Sequence, residues 1–157
     1  MITCVLENGN KDSFRHMVVH CLVVKDDKIL LEKRAEHLPE GGKWGLPGGY
    51  MDRDETAEQA ALRELKEETG WTAEISEMLR INSHPDRPHE DTQNIAIDFI
   101  LNPLEKIGNS DNEVTEMAWC EMDKLPPAEQ FAFDHLESIQ LYLKYRREKF
   151  PIPLWRN

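Results

Sequence analysis

The chain has 157 residues, 30 acidic against 19 basic, for a formal charge of −11. That length suits one domain with a real core, and a 39% hydrophobic content with four tryptophans argues against wholesale disorder. The negative excess argues against a nucleic-acid or anionic-membrane surface, and no apolar run reaches the roughly 20 residues of a bilayer span. The N-terminal MITCVLENGNKDSF has no basic region followed by an apolar stretch, so no secretory signal is expected. Cys4, Cys21 and Cys120 are scattered and odd in number, which points to a reducing cytoplasm rather than a disulfide scaffold or a thiolate zinc site.

The first fifteen residues are polar and turn-rich around Glu7-Asn8-Gly9-Asn10, and predict a short strand or a flap. Residues 17–24, MVVHCLVV, are β-branched and apolar and predict a buried strand. The polar turn Lys25–Lys28 leads into a return strand from Ile29 to Lys33. Residues 39–49, PEGGKWGLPGG, hold five glycines and two prolines and predict a loop. Beyond the helix that follows, residues 73–82, 93–101 and 114–122 predict further strands. Asp134 and Glu137 have the spacing of an acidic capping pair at a last helix, in which Leu136, Ile139, Leu143 and Phe150 recur at helical spacing. The order of strands, helix, strands and helix predicts a mixed sheet covered on both faces.

Residues 54–70, DETAEQAALRELKEETG, carry the chemistry. Thr56 and Gln59 have the form of a capping box, Gly70 suits the C-terminal cap, and the helix is predicted over about 57–69. Glu64, Glu67 and Glu68 share one face, and Ala57, Ala61 and Leu65 form a separate apolar stripe. Like charges at this spacing destabilise a helix, and Arg63 relieves part of that repulsion toward Glu67. Converging carboxylates suit a hard divalent cation; the plainer alternative is a solvated acidic face.

From Gly49 to Trp71 the chain reads Gly, five residues, Glu55, seven residues, Arg63-Glu64-Leu65, one residue, Glu67-Glu68, one residue, Gly70, Trp71. This resembles the Nudix box, matching all seven of its fixed positions over 23 residues. Trp71 is larger than the usual aliphatic at its place. The resemblance implies one Nudix hydrolase domain over residues 1–157 with the Nudix fold, an α/β/α sandwich with a mixed β-sheet. It implies a pyrophosphohydrolase acting on a nucleoside diphosphate linked to another moiety, with Mg²⁺, or Mn²⁺, as cofactor. Carried over by position, Glu64, Glu67 and Glu68 are metal ligands with a backbone carbonyl of Gly48 or Gly49, Arg63 orients a glutamate, and Glu55 supports the site. Glu113 is the candidate general base, preferred to Glu116, which falls nearer the strand; a box glutamate is the alternative.

Pro85, fifteen residues beyond Gly70, and the segment FAFDH at 131–135 resemble the ADP-ribose pyrophosphatase branch. A turn role for Pro85 and Pro88 is the plain alternative. The small-molecule nucleotide substrate needs cations and a base platform. Arg34, Arg87 and the backbone at Gly49 are the candidate substrate contacts; Arg80, Lys43 and Arg53 are weaker ones, and a solvated surface cation is the alternative for each. Phe14, Trp44 and Phe133 are candidate stacking residues, with a loop-anchoring role favoured for Trp44. His16 and His20 share a strand face without a third zinc ligand, and His84 and His89 flank a loop. His135, in a first helical turn, is expected to be neutral and to pack or hydrogen-bond. The apolar end FPIPLWRN is expected to dock on its own domain or across a homodimer.

Two rivals remain at this level. A nucleoside triphosphate pyrophosphatase would release a monophosphate and pyrophosphate. A non-catalytic Nudix ligand sensor would lose box acids or carry an added DNA-binding domain; here each box acid is present and the length is not expected to hold a second domain.

Overall fold

The computed structural model describes residues 2–90 and 92–156. In chain order it contains β1 (Ile2–Val5), β2 (Lys11–Phe14), β3 (Met17–Lys25), β4 (Lys28–Arg34), β5 (Trp44–Gly45), α1 (Ala57–Thr69), β6 (Trp71–Asn82), β7 (Ile95–Lys106), β8 (Val114–Glu121), a 3₁₀ turn (Ala128–Gln130), α2 (His135–Glu148) and β9 (Leu154–Arg156). The predicted flap is the antiparallel hairpin of β1 and β2, a sheet of its own. The remaining strands form one mixed sheet in the order β5-β4-β3-β7-β6-β9, with β8 paired to β4. β3 and β7 run parallel, from Met17 opposite Ile95 to Val23 opposite Leu101, whereas β6 and β7 are antiparallel.

Alternation along the strands sorts the core into two layers. Val19, Cys21 and Val23 of β3, with Ile97, Phe99 and Leu101 of β7, pack against Ala60, Ala61 and Leu65 of α1. Leu22 and Ile100 point the other way and meet Ile139, Tyr142 and Tyr145 of α2. Each buried aliphatic of Leu or Val size contributes about 1.5–3 kcal/mol, so these stripes fix α1 and α2 on opposite faces. α1 begins and ends where the sequence predicts. Thr56 and Gln59 form both hydrogen bonds of the capping box, and Gly70 closes the helix at φ 72°.

α2 departs from the sequence reading in two ways. Asp134 is its N-cap residue but makes no capping hydrogen bond with its side chain. Its carboxylate instead accepts from Arg87 Nη2 at 2.7 Å, Asn82 Nδ2 at 2.7 Å and Arg80 Nη2 at 3.3 Å. The buried face is His135, Ser138, Ile139, Tyr142 and Tyr145; Leu136 and Leu143 are only partly buried, and Phe150 lies past the C-cap Lys149. The reason is what lies beneath. β6 and β7 present Arg80 and Asp98 to this helix, so side chains able to hydrogen-bond occupy the inner face. Arg80 Nε donates to Asp98 at 2.8 Å, its Nη2 donates to Ser138 Oγ at 2.6 Å, and His20 Nδ1 lies 2.9 Å from Asp98.

The C-terminal tail docks on its own sheet. β9 pairs in parallel with β6, and Arg156 forms an ion pair with Glu137, although Trp155 stays 64% exposed. No helix among the described residues is long and apolar enough to cross a membrane.

Candidate active site

The loop before α1 is laced to the first half of β3; β4 pairs only with Val24 and Lys25 at the far end of that strand. Cys21 N–H donates to the Pro47 carbonyl at 2.8 Å, Val19 N–H to that of Gly49 at 2.9 Å, and Met51 N–H to that of Met17 at 3.1 Å. Gly48 stands in this ladder at φ 152°, where an added Cβ would lie 2.0 Å from the Val19 carbonyl oxygen. Only glycine fits there. A Cβ on Gly49 would lie 2.6 Å from Glu64 Oε1, so that carboxylate rests directly on the glycine backbone. Gly48 N–H donates to Glu68 Oε2 at 2.7 Å. Strand pairing and helix packing therefore bring the two glycines and the two glutamates together.

Arg63 ties the acidic face. Its Nη2 and Nε donate to the two oxygens of Glu55 at 2.7 and 3.1 Å. Its Nη1 donates to Glu64 at 2.8 Å and Glu67 at 3.2 Å, and Nη2 also reaches the Tyr50 carbonyl at 3.0 Å. The Arg63 hydrogen bonds hold the Glu55 carboxyl below its usual range. Glu64 is displaced upward, first by burial, then by its neighbours Glu67 and Glu113. Glu68 is raised further by burial and by the nearby Glu32.

Glu32 is a member of this cluster that the sequence reading missed. It lies in the middle of β4, opposite Gly45 and Met117, and burial pushes its carboxyl up to about 8. The available signal was parity: Glu32 is two residues from Leu30 and so points to the α1 face, where an isolated acid is out of place.

On the α2 face of β3, a cavity of about 320 Å³ opens beside Gly48 and Gly49. Val18, His20, Arg34, Tyr50, Glu113, Phe133 and His135 are among its walls. Glu113 lies just before β8 on an exposed turn, whereas Glu116 sits within β8 and pairs with Lys33 at 3.8 Å. Arg34 stacks its guanidinium 5.3 Å from the Phe133 ring centre. Arg87 also lines the cavity, but it is only 6% exposed and its guanidinium is held by Asp134 at 2.7 Å and Glu90 at 3.0 Å. That engagement makes it part of the wall that carries Asp134 more than a cation available to a ligand. Arg80 is likewise buried among Asp98, Asp134 and Ser138. Lys43 pairs with Glu40, and Arg53 with Asp54 on the surface.

Among the other candidates, Trp44 packs against the α2-side core and bridges to Phe131, so it anchors its loop. Phe14 is exposed on β2. His135 accepts the Leu46 N–H at Nδ1, 2.9 Å away, and burial with the neighbouring His20 holds it well below the ordinary imidazole range. It is the neutral hydrogen-bonding histidine that its position predicted. His16 makes an edge contact with Tyr50.

The donors fit a hard divalent cation by chemistry. Glu32, Glu64, Glu67 and Glu68 supply carboxylate oxygens, and among the described residues no amide donates to the Gly48 carbonyl. Arg63 compensates only part of this charge. No three His, Cys, Asp or Glu side chains among the described residues converge at metal-binding distance; Arg63 donates to Glu64 and Glu67, and the Gly48 amide to Glu68.

An acidic helix packed under a glycine loop, on one face of a mixed sheet, is the arrangement that the resemblance to the Nudix box implies. The family model for the NUDIX domain matches residues 14–142, and the chain belongs to the Nudix hydrolase family. It is 35% identical over 130 residues to an ADP-ribose pyrophosphatase of Methanocaldococcus jannaschii, covering 83% of this chain and 74% of that protein. It is 29% identical over 124 residues to a MutT-like protein of Streptomyces ambofaciens, covering 78% and 75%. A crystal structure of a Nudix hydrolase from Nitrosomonas europaea superposes with a TM-score of 0.77 at 25% identity, over 99% of this chain and 93% of that one.

Proposed function

We propose that this pyrophosphohydrolase cleaves ADP-ribose or a closely similar nucleotide sugar, taking up one water and releasing a nucleoside monophosphate and a sugar phosphate. From ADP-ribose the products are AMP and ribose 5-phosphate. The observation that carries this reading is the cavity joining the Gly48–Gly49 loop to Arg34, Glu113 and Phe133. It offers a phosphate-facing rim, a cation and an aromatic face in one recess. The extended similarity to an ADP-ribose pyrophosphatase supports the same substrate.

Glu64, Glu67, Glu68 and the Gly48 carbonyl are the residues that would hold a divalent cation, Mg²⁺ or Mn²⁺. When bound there it neutralises pyrophosphate oxygens and makes water more acidic. Arg63 keeps Glu55, Glu64 and Glu67 in register through charge-assisted hydrogen bonds. Glu113, at the cavity wall, accepts the proton of the attacking water at its carboxylate. Arg34 offers its positive charge to the phosphate or the adjoining sugar.

The test is a panel of ADP-ribose, nucleotide sugars and nucleoside triphosphates with Mg²⁺, with products separated by chromatography. AMP and ribose 5-phosphate in equal amounts support the proposal. Preferential release of pyrophosphate from triphosphates would replace it with triphosphate pyrophosphatase activity. No turnover of any diphosphate compound would defeat it.

A further inference from the structure

We propose that Glu32 belongs to the cation site as a positioning residue, holding Glu68 in place from behind and adding a second buried carboxyl to the surroundings of the ion. This rests on the reading above that α1 carries a divalent cation, and it adds a residue from outside the glycine-loop and helix motif.

Three observations carry it. Glu32 is 1% exposed and Glu68 4%, so both carboxyl groups are nearly out of water. The Glu32 Oε2 atom has no hydrogen-bond partner. Glu32 lies two residues from Leu30 on the α1-facing side of β4, as an acidic neighbour of Glu68, whose own Oε2 accepts the Gly48 N–H at 2.7 Å. A buried carboxyl with an unpaired oxygen normally destabilises a fold, and a second buried carboxyl beside it adds to that cost.

The nearest competing explanations are weaker. Arg34 stands two residues along the strand, but its Nε donates to the Pro39 carbonyl at 2.9 Å and its guanidinium stacks on Phe133. A purely structural residue here would be apolar, like Leu30 and Leu65 in the same layer. What the position lacks is a positive charge on the side of Glu68, which is where the ion of the proposed site would stand. Glu32 then sets the rotamer of Glu68 and adds carboxyl oxygens beside the cation, without contacting substrate.

Purified protein freed of metal by chelation is titrated with Mn²⁺, and free ion is counted by electron paramagnetic resonance. Melting is followed by circular dichroism with and without Mn²⁺. Parent, Glu32→Gln, Glu32→Asp and Glu68→Gln are compared. Glu32→Gln is expected to raise the Mn²⁺ dissociation constant at least tenfold. It should melt at the same temperature as the parent or higher without metal, and gain less on adding Mn²⁺. Glu32→Asp should recover part of the affinity. Binding by Glu32→Gln within twofold of the parent would overturn the inference while leaving the cation site standing. So would a fall in its metal-free melting temperature, or failure to fold, since either marks a structural carboxyl. Absence of Mn²⁺ binding in the parent would defeat the cation-site reading itself, and the inference with it.

Discussion

At the scale of single residues, the site depends on two adjacent glycines that are needed for different reasons. A methyl on Gly48 meets the backbone of β3, which cannot yield without breaking the ladder to Val19 and Cys21. Gly48→Ala is therefore expected to destabilise the fold by about 3 kcal/mol, read from urea denaturation. A methyl on Gly49 meets a side chain, Glu64, which can move. Gly49→Ala should leave the urea midpoint within roughly 1 kcal/mol of the parent and still lower turnover, because the displaced group is a proposed cation ligand. Equal losses of stability in the two variants would contradict this distinction. Glu68→Gln keeps the shape of the helix face and removes one charge. It is expected to cost about 4 kcal/mol of transition-state stabilisation, roughly a thousandfold in kcat/KM, with the circular dichroism spectrum unchanged. Near-normal turnover would remove Glu68 from the ligand set. The box residues were legible because their spacing is a sequence property. Glu32 was not, because its importance comes from a neighbour 36 positions away in the chain.

At the scale of elements, α1 is defined by local chemistry. Its capping box, alanine-rich first turns and left-handed Gly70 all agree. Thr56→Ala removes one side of the box and is expected to cost about 1 kcal/mol in urea denaturation, with activity falling only in proportion to the unfolded fraction. α2 illustrates the opposite case. Its acidic start has the residues of a cap, yet Asp134 serves two buried arginines instead. An N-cap hydrogen bond is worth about 1 kcal/mol, whereas taking one carboxylate out of a buried ion-pair network costs about 3 kcal/mol, so the arginines decide its rotamer. Local spacing could not reveal this, because Arg80 arrives from β6 and Arg87 from the loop between β6 and β7. Strand limits show the same contrast: β7 runs on to Lys106, past the predicted end at residue 101, because β6 continues to pair with it.

At the scale of the whole molecule, the polar network on the α2 face links β3, β6, β7 and α2 through His20, Asp98, Arg80 and Asp134. Asp134→Asn removes the carboxylate that Arg80 and Arg87 share, leaving Asp98 and Glu90 as their charged partners, and is expected to cost about 3 kcal/mol by urea denaturation. The same layer gives stability a pH dependence. His135 is held below its ordinary value of 6.5, first by burial, so the unfolded chain takes up a proton there before the folded one does. Its contribution is complete above pH 6.5 and declines as pH falls below it. Asp98 and Asp134 are depressed below 3.8 by their hydrogen-bonded and charged partners, despite burial, so their contribution is present above that value and lost at lower pH. Glu64 and Glu68, which are raised, act in the opposite sense. The informative quantity is therefore the difference between parent and His135→Asn in urea midpoint between pH 7 and 5. That difference should shift toward the variant as pH falls; a pH-independent difference would remove His135 from the account.

By itself the sequence determined the helix, its caps, the carboxylate face and the family. Each of these depends on residues close together in the chain, where 3.6-residue periodicity and capping geometry act directly. Its charge of −11 could exclude polyanion surfaces but not say where the negative charge is concentrated. Tertiary structure placed part of it, burying both Glu32 of β4 and Glu68 of α1. Strand pairing also seated Gly48 against β3, committed Arg87 to Asp134 and left Arg34 at the cavity. The physical reason is shared: the burial of a charge and the partner it finds depend on elements distant in sequence, and only packing brings them together.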